Sequence, residues 1–458
     1  MSLRSTSRAM LGGSVTPSTD GAIAGSMRTS IISSSVGKVV ELVTLVALAT
    51  VVPRVLGPAD YGRFAVVLTI VTMVSLALTL GGPTLMTRFV PAAPPDERVS
   101  LALALGRRLL FTRAATVVVV GCAALVVAGV TPLSVADTAI AVFATALHVV
   151  TTIALLVLLG LGGTAAWAAR FPFHNAVLVV GALVLYPIGG VSAAIFAVLI
   201  AATITAAAAL LVAAPVLRAP RSPDVHIPDG ALRFGALQAG GAALMQYTHR
   251  AGVLAVAILA GSSVETGYAA LAIGLALGAT YAVLQIFTVS LPHLTSQDLD
   301  RQLDQHGIER AEAPLRRLAL IATAVLAPPL IVGALLLDQL VTPIFGADFD
   351  GAATAFVPAM ALVALAPLYS LYVQVAAIRY RPRVALECGI VAALVFTFVA
   401  AATTSQWAAV GGTAAALAGS AAAVVVALVR LPAMASITQV IATCGGVAAT
   451  VVAGVIGT

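Results

Sequence analysis

The sequence predicts an all-α polytopic membrane protein built from two pseudo-symmetric six-helix halves, with one further helix at the C-terminus. Three observations carry this. Of 458 residues, 60% are apolar and only 9% charged, and mean hydropathy is +1.08; a soluble domain carries about a quarter charged residues. Apolar runs long enough to span a bilayer, about 20 residues each, recur along nearly the whole chain. One short motif occurs twice. Between two apolar runs stand Gly57, Asp60, Gly62, Phe64 and Ala65; further along stand Gly261, Glu265, Gly267, Tyr268 and Ala269, again between two apolar runs. Each reads as the turn of a helical hairpin. A motif that returns at long range implies a duplicated bundle.

Residues 1–28 are rich in Ser, Thr, Gly and Arg and lack the apolar core of a secretory signal. They are expected to form a flexible cytoplasmic tail. The first bundle, 29–214, has spans at about 30–53, 64–84, 109–130, 137–160, 172–190 and 192–214. The Pro-rich polar stretch 215–233 is a cytoplasmic linker between the halves. The second bundle, 234–432, has spans at about 234–260, 268–290, 315–337, 353–376, 384–404 and 407–429. The apolar run 433–458 is the extra helix, giving about 13 transmembrane helices. Two long charged connections, 85–108 and 291–314, occupy matching places in the halves. The second mixes Asp298, Asp300, Arg301, Asp304, Glu309, Arg310 and Glu312. It reads either as an amphipathic helix on the membrane surface or as a solvated loop.

Loop charge tests this layout. With the N-terminus in the cytoplasm, Arg54 and Arg63 fall outside, and Lys38 and Arg250 fall within spans. The other basic residues lie in or beside cytoplasmic segments. The outer loops carry Asp60, Asp137, Glu265, Asp338, Asp348 and Asp350. This is the positive-inside pattern. It implies a multi-pass protein of the cytoplasmic (inner) membrane and no nucleic-acid partner. The formal charge of +6 is almost all arginine, with Lys38 the single lysine. Cys122, Cys388 and Cys444 show neither metal-ligand nor redox spacing and read as small packing residues. There is no phosphate-binding Gly-rich loop, so no cofactor and no metal are expected. Any work done must draw on an ion gradient, the membrane potential or a solute gradient.

The hairpins and their surroundings resemble the polysaccharide-flippase branch of the MOP superfamily, the Wzx-like lipid-linked oligosaccharide flippases (polysaccharide biosynthesis membrane proteins). The likeness rests on Arg54-x-Leu56-Gly57-x-x-x-Tyr61-Gly62-x-Phe64, on Gly81-Gly82 with Arg88-Phe89, and on Gly261 with Gly267-Tyr268-Ala269. It extends to Leu291-Pro292-His293-Leu294, Ile344-Phe345-Gly346 and Val410-Gly411-Gly412. It covers about 30–430. Family members usually have twelve or fourteen spans, so thirteen is a departure confined to the tail. The resemblance implies a MATE/MOP-like arrangement of two six-helix bundles around a central V-shaped cavity. It also implies alternating access and a substrate linked to polyprenyl pyrophosphate, moved to the outer leaflet for surface polysaccharide assembly. The protein would be a transporter and not an enzyme. It would work as a monomer in the lipid bilayer, with the lipid-linked glycan and glycan-assembly proteins as partners.

Such a substrate needs cationic and hydrogen-bonding groups at membrane depth, where ionisable residues are costly. The first helix carries Lys38 and Glu41, three apart and able to pair. The seventh carries Gln238, Gln246, Tyr247, His249 and Arg250. Lys38, Arg250, His249 and Gln246 are the candidate substrate contacts, with Lys38 and Arg250 on the pyrophosphate. The bland reading makes Lys38–Glu41 a structural ion pair and sends Arg250 to a headgroup. Arg88 and Arg113, at the cytoplasmic ends of the second and third spans, either guide the head group or anchor the helices. His148 and Glu387, lone ionisable groups, either carry protons in a coupled cycle or bond between helices. Gly57, Tyr61, Gly62, Gly261 and Gly267 are expected to shape the hairpins.

Three rivals remain at this stage. A cation-coupled multidrug exporter of the MATE branch would share the fold but want a more acidic cavity. A membrane glycan polymerase or ligase would want a longer outer loop than 338–352. A non-transporting scaffold of a glycan-assembly complex has no distinguishing residue pattern.

Overall fold

The computed structural model describes residues 18–79, 81–127, 133–219, 227–228, 231–295, 305–379 and 381–458. Within them are twelve α-helices. The first half comprises α1 (Ser18–Thr79), α2 (Gly82–Ala92), α3 (Arg98–Val127), α4 (Val135–Gly160) and α5 (Thr164–Leu217). The second comprises α6 (Ala231–Ala255, continued by a π turn over Val256–Ala260), α7 (Ser263–Thr295), α8 (Gln305–Leu335), α9 (Leu337–Phe345), α10 (Ala353–Ile378), α11 (Pro382–Arg430) and α12 (Ile437–Gly457).

Length alone forces three of these helices to fold back. The 62 residues of α1 would rise about 90 Å as one rod, against a hydrocarbon core of about 30 Å. The rod breaks at Gly57, where φ is 72°. Only glycine reaches this region without cost, and Pro58 restarts the helix with its fixed φ. The 54-residue α5 breaks at Gly189 and Gly190. The 49-residue α11 breaks at Ala408, with φ 43° and ψ −117°. An alanine there is strained. The Glu265 carboxylate offsets part of the cost by accepting from the Ala409 N–H at 3.2 Å. Ten described helical stretches are long and apolar enough to cross a membrane. Three of these stretches contain the breaks, so each folds back into two arms.

Several boundaries differ from expectation. The first helix already runs from Ser18, so 18–28 is helical and only 1–17 lies outside the described residues. The segment 85–108 is not a loop. It holds α2, set off by Gly81 at φ 82°, and the opening turns of α3. In 291–314, α7 continues to Thr295 and α8 starts at Gln305 without a break before its membrane part. Residues 305–314 therefore extend a span and form no separate surface helix; 296–304 lie outside the described residues. The expected outer loop 338–352 is α9 followed by a 3₁₀ turn over Ala347–Ala352. Polar residues at helix ends had suggested loops, but helices in these proteins outrun the bilayer before they turn.

In the first half, α1 packs against α4 and α5. In the second, α6 lies along α11 through close approaches at Gly241, Gly389, Gly412 and Gly419, the small-residue contact that membrane helices favour. Helix α12 belongs to this bundle. Gly454 lies on Val357 and Gly457 on the carbonyls of Ala334 and Leu335. The Gln439 amide donates to the Arg316 carbonyl at 2.9 Å, and the Arg316 guanidinium donates to the Ala433 carbonyl at 2.7 Å. Beneath them the buried Glu312 takes a two-pronged bond from Arg379 at 2.6 and 2.8 Å. Of the cysteines, Cys388 is buried as expected, whereas Cys122 and Cys444 sit on exposed helix faces.

The halves meet where α1 crosses α6 and α7. At the hairpin end the contact is reciprocal. Gly62 lies on the Ser263 carbonyl, and Gly267 lies on the Pro58 carbonyl, each so close that a Cβ has no room. Pro58 and Ser263 hold equivalent places four residues before these glycines, so the contact obeys the duplication. Tyr61 is buried beside Phe64 and Phe349, at 6.4 and 6.3 Å between ring centroids. Gly261, at φ 64°, ends the α6 continuation as Gly57 ends the first arm of α1.

Candidate functional site

Gln246 and Arg250 are four residues apart on α6 and therefore share one face. The Arg250 Nε donates to the Gln246 Oε1 at 3.1 Å, and the Tyr281 hydroxyl of α7 donates to the same oxygen at 2.9 Å. The Arg250 Nη1 reaches across to the first half and donates to the Thr72 Oγ1 at 3.4 Å. Thr72 can accept because its own hydroxyl points back to the Leu68 carbonyl at 2.7 Å. The result is a half-buried guanidinium, bonded among the described residues to neutral oxygens, at the crossing of the two halves. A cation fixed this way keeps its charge available to an anion.

His249, the next residue, points elsewhere. It is 1% exposed, and its ring lies 5.3 Å from that of Tyr369 on α10. One residue along a helix turns the side chain by about 100°, which takes His249 out of the Gln246–Arg250 strip and into the second bundle. It is thus a core histidine in this conformation and not a cavity contact.

Lys38 lies on the helical backbone of α1 and Arg88 on that of α2; their side chains fall outside the described residues. Glu41 is half-buried and interacts electrostatically with Arg170 of α5. Arg170 was counted in a loop by its sequence position, yet α5 starts at Thr164 and brings it inside. Its guanidinium lies 3.4 Å from the Trp167 ring centroid and 4.2 Å from that of Phe171, and its Nη1 donates to the Trp167 carbonyl at 2.6 Å. The legible signal was the spacing: aromatics at i−3 and i+1 flank an arginine, which suits stacking on its planar face.

His148 is not alone. Its ring stands edge-on to that of His174 of α5, 4.4 Å between centroids, and both are buried. The His174 Nδ1 lies 3.3 Å from the Thr205 Oγ1. Because Thr205 donates its own proton to the Ala201 carbonyl, that contact is a donation from His174. The Nε2 atoms of both imidazoles lack a protein partner among the described residues. Glu387 is not lone either: it pairs with Arg430 at 2.8 Å, the two at opposite ends of α11, both substantially exposed. That makes it a helix-end ion pair. Arg113, expected at a helix end, lies in the middle of α3, half-buried, with its Nε unpartnered among the described residues.

The chain has the fold seen in solved structures of MOP-superfamily transporters. It superposes on lipid II flippase MurJ in an inward closed conformation with a TM-score of 0.66, at 9% identity, covering 93% of this chain and 92% of that one. It superposes on an inward-facing multidrug resistance MATE family transporter of the MOP superfamily with a TM-score of 0.62, at 15% identity, over 90% and 98% of the chains. The score is 0.57 for an outward-facing MATE family transporter, at 15% identity over 92% and 96%. No protein-family model and no curated protein matches the sequence.

Proposed function

We propose that this chain is a flippase of the Wzx-like kind. It moves a polyprenyl-pyrophosphate-linked oligosaccharide from the cytoplasmic to the outer leaflet of the inner membrane by alternating access, with its N-terminus in the cytoplasm. The observation that carries this reading is the Arg250–Gln246–Tyr281–Thr72 cluster. It offers a fixed cation and neutral hydrogen-bonding groups between the halves, as a pyrophosphate and its sugars require. Lys38 on the first helix is the second proposed anion contact. A cation-coupled drug exporter would want carboxylates in the same place. Glu387 lies in an end pair and Glu41 interacts with Arg170, which favours the anionic substrate. The likeness to lipid II flippase MurJ supports a lipid-linked cargo by analogy of fold.

The test is translocation in proteoliposomes, with a labelled polyprenyl-pyrophosphate oligosaccharide and an external glycan-modifying enzyme as reader. Loss of a charge-assisted contact worth about 1.5–3 kcal/mol lowers the rate about 10- to 100-fold in Arg250→Ala, and Arg250→Lys recovers part of it. Gradient-driven export of a cationic dye, with no movement of any lipid-linked glycan, would overturn the proposal.

A further inference from the structure

A groove of about 250 Å³ runs beside the Arg250 crossing. Its walls are Ile70, Met73 and Ala77 of α1, Val120 and Ala124 of α3, and Val142 of α4, closed on one side by Ala243 and Tyr247 of α6. Both halves therefore build it. Only three side chains in it carry polar atoms, and all are already used. Thr116 bonds the Thr112 carbonyl, Thr145 bonds the Ala141 carbonyl, and the Tyr247 hydroxyl bonds Thr397. A surface so largely apolar, with its few hydroxyls already bonded within the protein, suits hydrocarbon better than sugar or water.

The size is informative. Ordinary small-molecule pockets hold about 300–1,000 Å³, and a groove of about 250 Å³ has room for one chain segment. Its wall on α3 continues, one turn toward the helix N-terminus, to Arg113. Residues 113, 117, 120 and 124 lie on one face, and long side chains on a helix lean toward its N-terminus. The Arg113 Nε is buried without a protein partner among the described residues. An apolar single-chain slot with an under-bonded cation at its mouth complements an amphiphile with one tail and an anionic head.

We infer that this groove, between the first bundle and α6, holds the hydrocarbon chain of a polyprenyl phosphate lipid whose phosphate sits at Arg113 at a stage of the cycle before Arg250 takes it. The inference rests on the flippase reading and adds the place where the substrate's tail rides. Because one wall belongs to the second half, the slot changes width whenever the halves move, and chain occupancy is coupled to the cycle.

The test uses a photoreactive benzoyl-phenylalanine at Val120, inside the groove and 48% exposed, and at its neighbour Val119, outside the groove and 69% exposed. The vesicles contain phosphatidylethanolamine, phosphatidylglycerol and polyprenyl phosphate, and the adducts are weighed by mass spectrometry. Polyprenyl adducts at least fivefold enriched at 120 over 119 are expected. The enrichment falls severalfold in Ala124→Phe, which fills the slot, and in Arg113→Gln, and returns in Arg113→Lys. Equal polyprenyl adducts at both positions, or phospholipid adducts at 120 that polyprenyl phosphate does not displace, overturn the inference. The comparison of 120 with 119 decides it even where Ala124→Phe does not fold. Translocation measured on the same vesicles separates the two claims: translocation without enrichment sinks the groove alone, and enrichment without translocation sinks the flippase reading alone.

Discussion

At the scale of single residues, the polar groups inside this protein divide by how completely they are bonded. Thr72, Thr145, Thr205 and Thr323 all return their protons to a carbonyl four residues back; they are quiet. His148 and His174 are the contrast, two buried rings whose Nε2 atoms have no protein partner among the described residues. A buried unsatisfied nitrogen costs about 1–3 kcal/mol, and an apolar group of the same shape removes that cost. His148→Phe and His174→Phe are therefore expected to raise the melting temperature. Groups that cost stability concentrate at functional sites, so slower translocation is expected from the same variants. Unchanged translocation at a raised melting temperature would make the pair ordinary packing. His148 was visible in the sequence as an ionisable residue in a span. His174 was not, because its meaning depends on α4 and α5 lying side by side, which no local pattern records. Arg170 escaped for a different reason: a Gly-rich turn a few residues before it made it look like part of a loop.

At the scale of elements, the apolar runs located the long helices, because apolar length is a property of the chain itself. They misplaced the ends. Polar residues at the starts of α3 and α8 read as loop because the solvent-exposed turns of a long helix carry the same composition as a loop. The two hairpins were legible as turns, since Gly57 and Gly261 punctuate them. Their mutual contact was not, for it depends on how the halves dock. Gly62 and Gly267 each lie on a backbone carbonyl of the other hairpin, which cannot move aside as a side chain would. Gly62→Val or Gly267→Val should hold the hairpins apart. Amide hydrogen exchange at 57–64 and 261–268 is then expected to rise, while exchange within α4 and α12 stays as it was. Unaltered exchange at both hairpins would show that the contact does not join the halves.

At the scale of the whole molecule, α12 lies beyond the two sets of six spans that the sequence suggests. That helix was expected as an add-on, and it turns out to share the buried Glu312–Arg379–Arg316 cluster through Gln439 and the Ala433 carbonyl. Deleting residues 437–458 exposes the faces of α8 and α10 and removes the bond from Gln439 to the Arg316 carbonyl. A lower melting temperature is expected, with hydrogen exchange in α8 and α10 rising more than in α4 and α5. Equal loosening of both halves would mean that α12 supports the whole fold and not one bundle.

The glycine contact between the hairpins has a consequence in entropy. A joint made of backbone against backbone freezes no side-chain rotamers when it forms, since glycine has none to lose. Closing and opening at that end then differ little in configurational freedom. In the flippase proposed above, the balance between the two arrangements falls to the few groups that change partners, foremost Arg250, with Thr72 on one side and the arriving anion on the other. Such a joint costs little to open and close, occupancy of one guanidinium shifts the balance, and the driving gradient sets the direction.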